Sequence, residues 1–207
     1  MPPPNIFQRP APRVAPATDP LAMLEVRRAM MLHQAGRVDE AVAIYAAVLA
    51  KQPGQFECLH YLGVAHLQAG RHEAALASLE KALPAGPNDP SLHSNLGLAL
   101  AALGRHAEAL RHLDRALALR PGMPEALNNR GWTLRALNRL DEALASFDAA
   151  LQARPAFPEV HHRRALVLGT LDRHDEACAA FGQALALRPD DAEALGNLGT
   201  LLTLMGR

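Results

Sequence analysis

Ten histidines, two cysteines and a scatter of carboxylates are the residues of this 207-residue chain that could hold a metal ion or move a proton. Their spacing argues against both. His72, His106 and His174 occupy one repeated place in the sequence, and copies of one place lie too far apart to share an ion. His161 and His162 are adjacent and point in different directions on a helix, while His60 and His66 are six residues apart. There is no His-Glu-x-x-His, no cysteine pair at ligand spacing, no Gly-rich phosphate loop, no nucleophile elbow and no paired catalytic carboxylates. The runs Arg71-His72-Glu73, Arg139-Leu140-Asp141-Glu142 and Arg173-His174-Asp175-Glu176 read as helix starts, where acidic side chains favour the positive end of the dipole. The chain is therefore expected to carry no catalytic residue, no metal and no cofactor.

The elements that must position the remaining polar side chains are helices. From Pro90 to Met123, apolar residues Leu92, Leu96, Ala99, Leu100 and Leu103 recur at the period of one helix face, Gly104 interrupts, and Ala109, Leu113, Ala116 and Leu117 mark a second face. Arg120-Pro121-Gly122 ends it, because proline cannot continue a helix. Gly97 and Ala109 lack bulk, so the two backbones can approach and Leu100 and Leu113 fill the space beside them. Each unit is a helical hairpin that cannot bury its faces alone.

The same pattern recurs every 34 residues. Pro53, Pro87, Pro121, Pro155 and Pro189 form one column, and Ala41, Ala75, Ala109, Ala143 and Ala177 another. Tyr45, Leu79, Leu113, Phe147 and Phe181 follow four residues after each alanine. The small site on the first helix reads Ala29, Gly63, Gly97, Gly131, Ala165 and Gly199; the turn reads Gly36, Gly70, Gly104, Asn138, Asp172 and Gly206. These columns resemble the tetratricopeptide repeat (TPR) family, whose 34-residue pattern places Leu-Gly, aromatic, Ala and Pro positions in this order. The fold implied is all-α, a right-handed superhelical solenoid of helix-turn-helix hairpins. Its repeats span 22–55, 56–89, 90–123, 124–157 and 158–191, with the first helix of a sixth in 192–207. Arg28, Arg130 and Arg164 depart from the pattern, standing where Leu is preferred; their stems are expected to lie along apolar surface.

In that family the first helices line the concave surface, so the resemblance implies a peptide-binding face of His60, Tyr61, Asn95, Asn128, Asn129, Trp132, Arg135, His162, Arg163 and Asn197. Asn95, Asn129 and Asn197 share position six of their repeats. A column of side chains that each donate and accept is suited to the backbone of an extended peptide. Trp132, the one tryptophan, beside Arg135 is the composition of an interface anchor, and Arg163 with Arg135 could hold an acidic group.

Equal numbers of basic and acidic residues give a formal net charge of zero, without the field of a non-specific nucleic-acid or anionic-membrane binder. No stretch approaches a membrane span or a secretory signal, and Cys58 and Cys178 fit a reducing compartment, so the chain is expected in the cytoplasm. Residues 1–21, with seven prolines in the first twenty, read as a disordered leader.

The expected partner is another protein or an extended peptide. Two further functions stand beside this one. The repeat wording, from His33 to Leu83 and again from Ala126 to Pro155, resembles the arrays that precede the catalytic domain of bacterial O-GlcNAc-transferase-like proteins; that resemblance implies a substrate-recognition arm with the sugar-nucleotide site beyond Arg207. Alternatively, Leu195, Leu198, Leu201, Leu202 and Met205 form an apolar face, and whatever side of it does not pack on the fifth repeat has no second helix to cover it, which suits either a longer protein or self-association through 192–205.

Overall fold

The computed structural model describes residues 20–206. The expected leader, residues 1–21, lies outside them for 1–19, whereas Pro20 and Leu21 belong to the first helix. Among the described residues there are eleven α-helices and no strand: α1 (Pro20–Gln34), α2 (Val38–Lys51), α3 (Phe56–Gln68), α4 (His72–Ala82), α5 (Pro90–Ala102), α6 (His106–Leu119), α7 (Pro124–Ala136), α8 (Leu140–Ala153), α9 (Pro158–Thr170), α10 (His174–Leu187) and α11 (Ala192–Leu204). They divide into two compact units, parted in sequence between Leu119 and Arg120.

In the first unit α1 pairs with α2, α3 with α4 and α5 with α6, and the hairpins stack through α2 on α3 and α4 on α5. The second unit repeats this with α7–α8 and α9–α10, stacked through α8 on α9, and α11 packs on α10. Each second helix begins after a turn of one kind. In the third hairpin Gly104 takes φ +75°, its N–H reaches the Ala101 carbonyl, and Arg105 N–H reaches back to Leu100 at 2.9 Å. This double closure satisfies carbonyls that the end of a helix would leave unpaired. The other hairpins have the same pair of bonds, and Asn138 and Asp172 adopt positive φ, 59° and 57°, where the other turns use glycine. The turn column of the sequence is thus the left-handed residue in every hairpin.

Close approach of the paired helices depends on the small column. A Cβ at Gly97 would stand 2.5 Å from Leu113 Cγ, at Gly63 2.5 Å from Leu79 Cγ, and at Gly131 2.6 Å from Phe147 Cε1. The first helix of each of these hairpins is pressed onto the large residue of its own second helix. Two of the arginines that depart from the pattern reach a second helix: Arg130 Nη1 donates to Ser146 Oγ of its own hairpin at 2.7 Å, and Arg164 Nε donates to Asp148 on α8 of the preceding hairpin at 2.7 Å.

On α11 the small residue Gly199 has nothing within 4 Å of its would-be Cβ. Leu201 of the expected apolar face is buried, while Leu195 and Leu204 are 51% and 71% exposed. At the other end α1 leaves Leu21 and Met31 about as open, at 70% and 71%.

Candidate functional site

The first helices α3, α5, α7, α9 and α11 carry all ten residues expected on the binding face. Three lie in the first unit. His60 on α3 is fully buried between Phe56 and Tyr61, with ring centroids 5.7 and 6.0 Å away. Asn95 on α5 is buried as well and gives its Nδ2–H to His60 Nε2 at 2.9 Å. His60 Nδ1 must then hold the ring proton, and it has no hydrogen-bond partner among the described residues. Burial pushes His60 down to about 4, with the Asp89 carboxylate acting the other way. Tyr61 stacks on Tyr45 at 6.3 Å in the core. These side chains hold neighbouring hairpins together, and none of the three stands open to a ligand.

The remaining seven lie in the second unit. Asn197 on α11 donates to His162 Nε2 on α9 at 3.1 Å, and Glu193 lies 3.9 Å from the same nitrogen. His162 is buried edge-on against Phe181. Asn128 on α7 is buried and accepts from Arg163 Nη1 at 3.2 Å. One rule unites the three contacts: position five of one repeat meets position six of the next, 35 residues on. That spacing was visible in the sequence, but the expected role of an asparagine column facing outward hid it. Asn129, at position six of its own repeat, remains half-buried.

What stays accessible is centred on Trp132. The half-buried indole has the Arg135 guanidinium 4.6 Å from its centroid and that of Arg163 4.8 Å away. The two arginines differ in their surroundings. Arg163 pairs with Glu159 at 2.6 Å, one turn earlier on α9; burial pulls its guanidinium below the ordinary value, and Glu159 and Glu193 oppose that. Arg135, in the last turn of α7, makes no ion pair among the described residues, so its charge and donors remain to be satisfied from outside. At the far end of α8, Arg154 bonds Glu125 of α7 within the same hairpin, and its guanidinium lies 4.5 Å over Phe157. An aromatic plate backed by one neutralised and one unpaired arginine can stack on an apolar or planar group while accepting an anion alongside.

No group of three or more His, Cys, Asp or Glu side chains that could hold a metal occurs among the described residues. Cys58 and Cys178 are both free thiols. No helix among the described residues is long and apolar enough to cross a membrane.

Stacked helical hairpins with left-handed turns, small residues at the helix crossings and a 34-residue period define an α-solenoid repeat protein. Models of the tetratricopeptide repeat match residues 32–97, and 94–158 together with 162–207, so the chain belongs to the TPR family. No curated protein matches it in sequence. Among solved structures it is similar to a thermophilic TPR protein of Thermus thermophilus, at 25% identity and a TM-score of 0.72, over 88% of this chain and 99% of that one. It is also similar to YrrB, a TPR protein described as having an unusual peptide-binding site, at 25% identity and a TM-score of 0.67, over 85% of this chain and 91% of the other. A third similar structure is MamA MSR-1, at 26% identity and a TM-score of 0.67, over 84% and 100% of the two chains.

Proposed function

We propose that this chain is a non-catalytic scaffold that captures an extended, acidic segment of another protein on the first-helix face of its second unit. The observation that carries this reading is Arg135: a guanidinium stacked on the only tryptophan, half-buried, and without an anionic partner among the described residues. Trp132 supplies contact area at little entropic cost, Arg135 supplies the charge, and Asn129 beside them offers an amide to the partner's backbone. Arg163 serves mainly to hold the indole in place, because Glu159 already neutralises it. The likeness to YrrB supports peptide capture as a use of this array. A cytoplasmic setting goes with it, supported by the two free thiols.

Calorimetric titration of the full chain with an acetylated, amidated decapeptide rich in Glu and Leu tests the proposal. Saturable binding that is lost when every Glu is replaced by Gln is the expected result. Equal binding of both peptides, or of neither, contradicts it.

Self-association is a second reading, favoured by Leu195 and Leu204 on α11 and by the open space at Gly199. Light scattering over a range of concentrations decides it: an oligomer dissolved by Leu195→Glu with Leu204→Glu supports the joint, and a monomer at every concentration removes it.

A further inference from the structure

His93 on α5 and His112 on α6 face each other with Nδ1···Nδ1 at 3.0 Å. Their ring centroids are 5.2 Å apart, which is that distance plus about one ring radius at either end, and the planes differ by 30°. The rings therefore meet end on, as in an N–H···N hydrogen bond. A shared metal ion would need two lone pairs converging beside the line between them.

The second nitrogen of His93 fixes the direction of that bond. His93 Nε2 lies 3.1 Å from the Pro87 carbonyl, which can only accept, so Nε2 carries the proton and His93 Nδ1 is a lone pair. His112 Nδ1–H must donate to it, leaving His112 Nε2 as the basic atom on a part-exposed ring.

We propose that His93 and His112 form a proton-sharing pair that fastens α6 to the first turn of α5, accepts one proton without opening, and parts when a second arrives. The first proton enters at His112 Nε2 and makes the existing bond charge-assisted. The second has only His93 Nδ1 to occupy, where the His112 N–H already points; it abolishes the bond and sets two cations 3.0 Å apart.

The pair sits on α5 and α6, and α3 and α4 pack on α5. Burial, then His93 and Arg111, hold His112 below its ordinary value, and Glu108, one turn earlier on α6, opposes them. Arg115 is engaged by Asn88, and the Asp89 carboxylate caps α5 by accepting from Leu92 N–H. The last turn of α4 carries Lys81 and also Glu80, which acts on Arg105; α3 contributes Glu57, His60 and His66. Glu108 accepts from Arg105 Nε and Nη2, at 2.7 and 2.8 Å, and is not free to neutralise a second imidazolium.

Long-range nitrogen–proton NMR of the ¹⁵N-labelled full chain, titrated from pH 8 to pH 4, tests the proposal. At pH 8 His93 should be the Nε2–H tautomer and His112 the Nδ1–H tautomer. On acidification His112 should protonate first and His93 more than about one pH unit later, as coupled sites do. In His112→Ala, His93 should take its proton in one step, at higher pH than in the native chain. The protection of the Asp89 and His93 amides, bonded to the Gly86 and Asp89 carbonyls, relative to intrinsic exchange at the same pH should fall about tenfold with the second native step. A Nδ1–H tautomer for His93 at pH 8 overturns the pair. So does titration of His93 at the same pH in the native chain and in His112→Ala.

Discussion

Asn95 stands 35 residues after His60 and donates its side-chain amide to the buried His60 Nε2 at 2.9 Å, so a residue expected to face a ligand joins two hairpins. Replacing Asn95 by Ala leaves a buried acceptor without a donor, a loss of about 1–3 kcal/mol. For a chain of this size that corresponds to a melting temperature lower by about 2–4 °C per kcal/mol. Asn197→Ala should cost less, because Asn197 is only partly buried and water can replace it. Thermal melting of the two variants checks both the loss and its order.

The same contact makes stability depend on pH. His60 sits at about 4 in the folded chain, below the ordinary value of 6.5, so folding favours the neutral ring. Its contribution is fully present above pH 6.5 and is lost as pH falls toward 4, where the unfolded chain binds a proton that the folded one refuses. The loss is on the order of 3 kcal/mol across that window. Burial also lowers His33, His66 and His112, so the measurement is a difference: melting of the native chain against His60→Leu, at about pH 7.5 and about pH 4.5. The variant should lose less stability on acidification, and parallel loss in both would show that His60 does not titrate across the transition.

Equivalent glycines should respond in opposite directions. Gly97→Ala drives a methyl to 2.5 Å from Leu113 Cγ and 3.2 Å from the Ala109 carbonyl, and overpacking of this kind costs about 1–3 kcal/mol. Gly199→Ala meets nothing within 4 Å on an exposed stretch of helix and should stabilise by about 0.5–1 kcal/mol through helix propensity. Urea midpoints of the two variants test this, and a shift of the same sign in both would mean that the helix crossings do not depend on the small column.

The turns were legible because one steric requirement acts at one place: a residue in left-handed conformation must be small or able to bond locally. Gly36, Gly70 and Gly104, then Asn138 and Asp172, meet it. The small column was legible for a similar reason, since Gly63, Gly97 and Gly131 fall where a helix crosses its own partner. The polar contacts between repeats were harder to read. Position five and position six each look like surface when one hairpin is considered alone, and only stacking turns His60 toward Asn95 and His162 toward Asn197. Around Trp132, Arg135 is one helical turn away and was legible as a neighbour, whereas Arg163 is brought in from the next hairpin. The state of each arginine, one paired with Glu159 and one unpaired, depends on that packing too.

The proposed capture depends on Trp132 and Arg135 acting together, and since the chain has one tryptophan its fluorescence reports on that place alone. Titrating the acidic decapeptide into the native chain should change the emission in a saturable way. Arg135→Gln should weaken the midpoint by about tenfold, the scale of one charge-assisted contact of roughly 1.4 kcal/mol. An unchanged midpoint in Arg135→Gln, or no change of emission in the native chain while calorimetry detects binding, would place the ligand away from Trp132 and contradict the account.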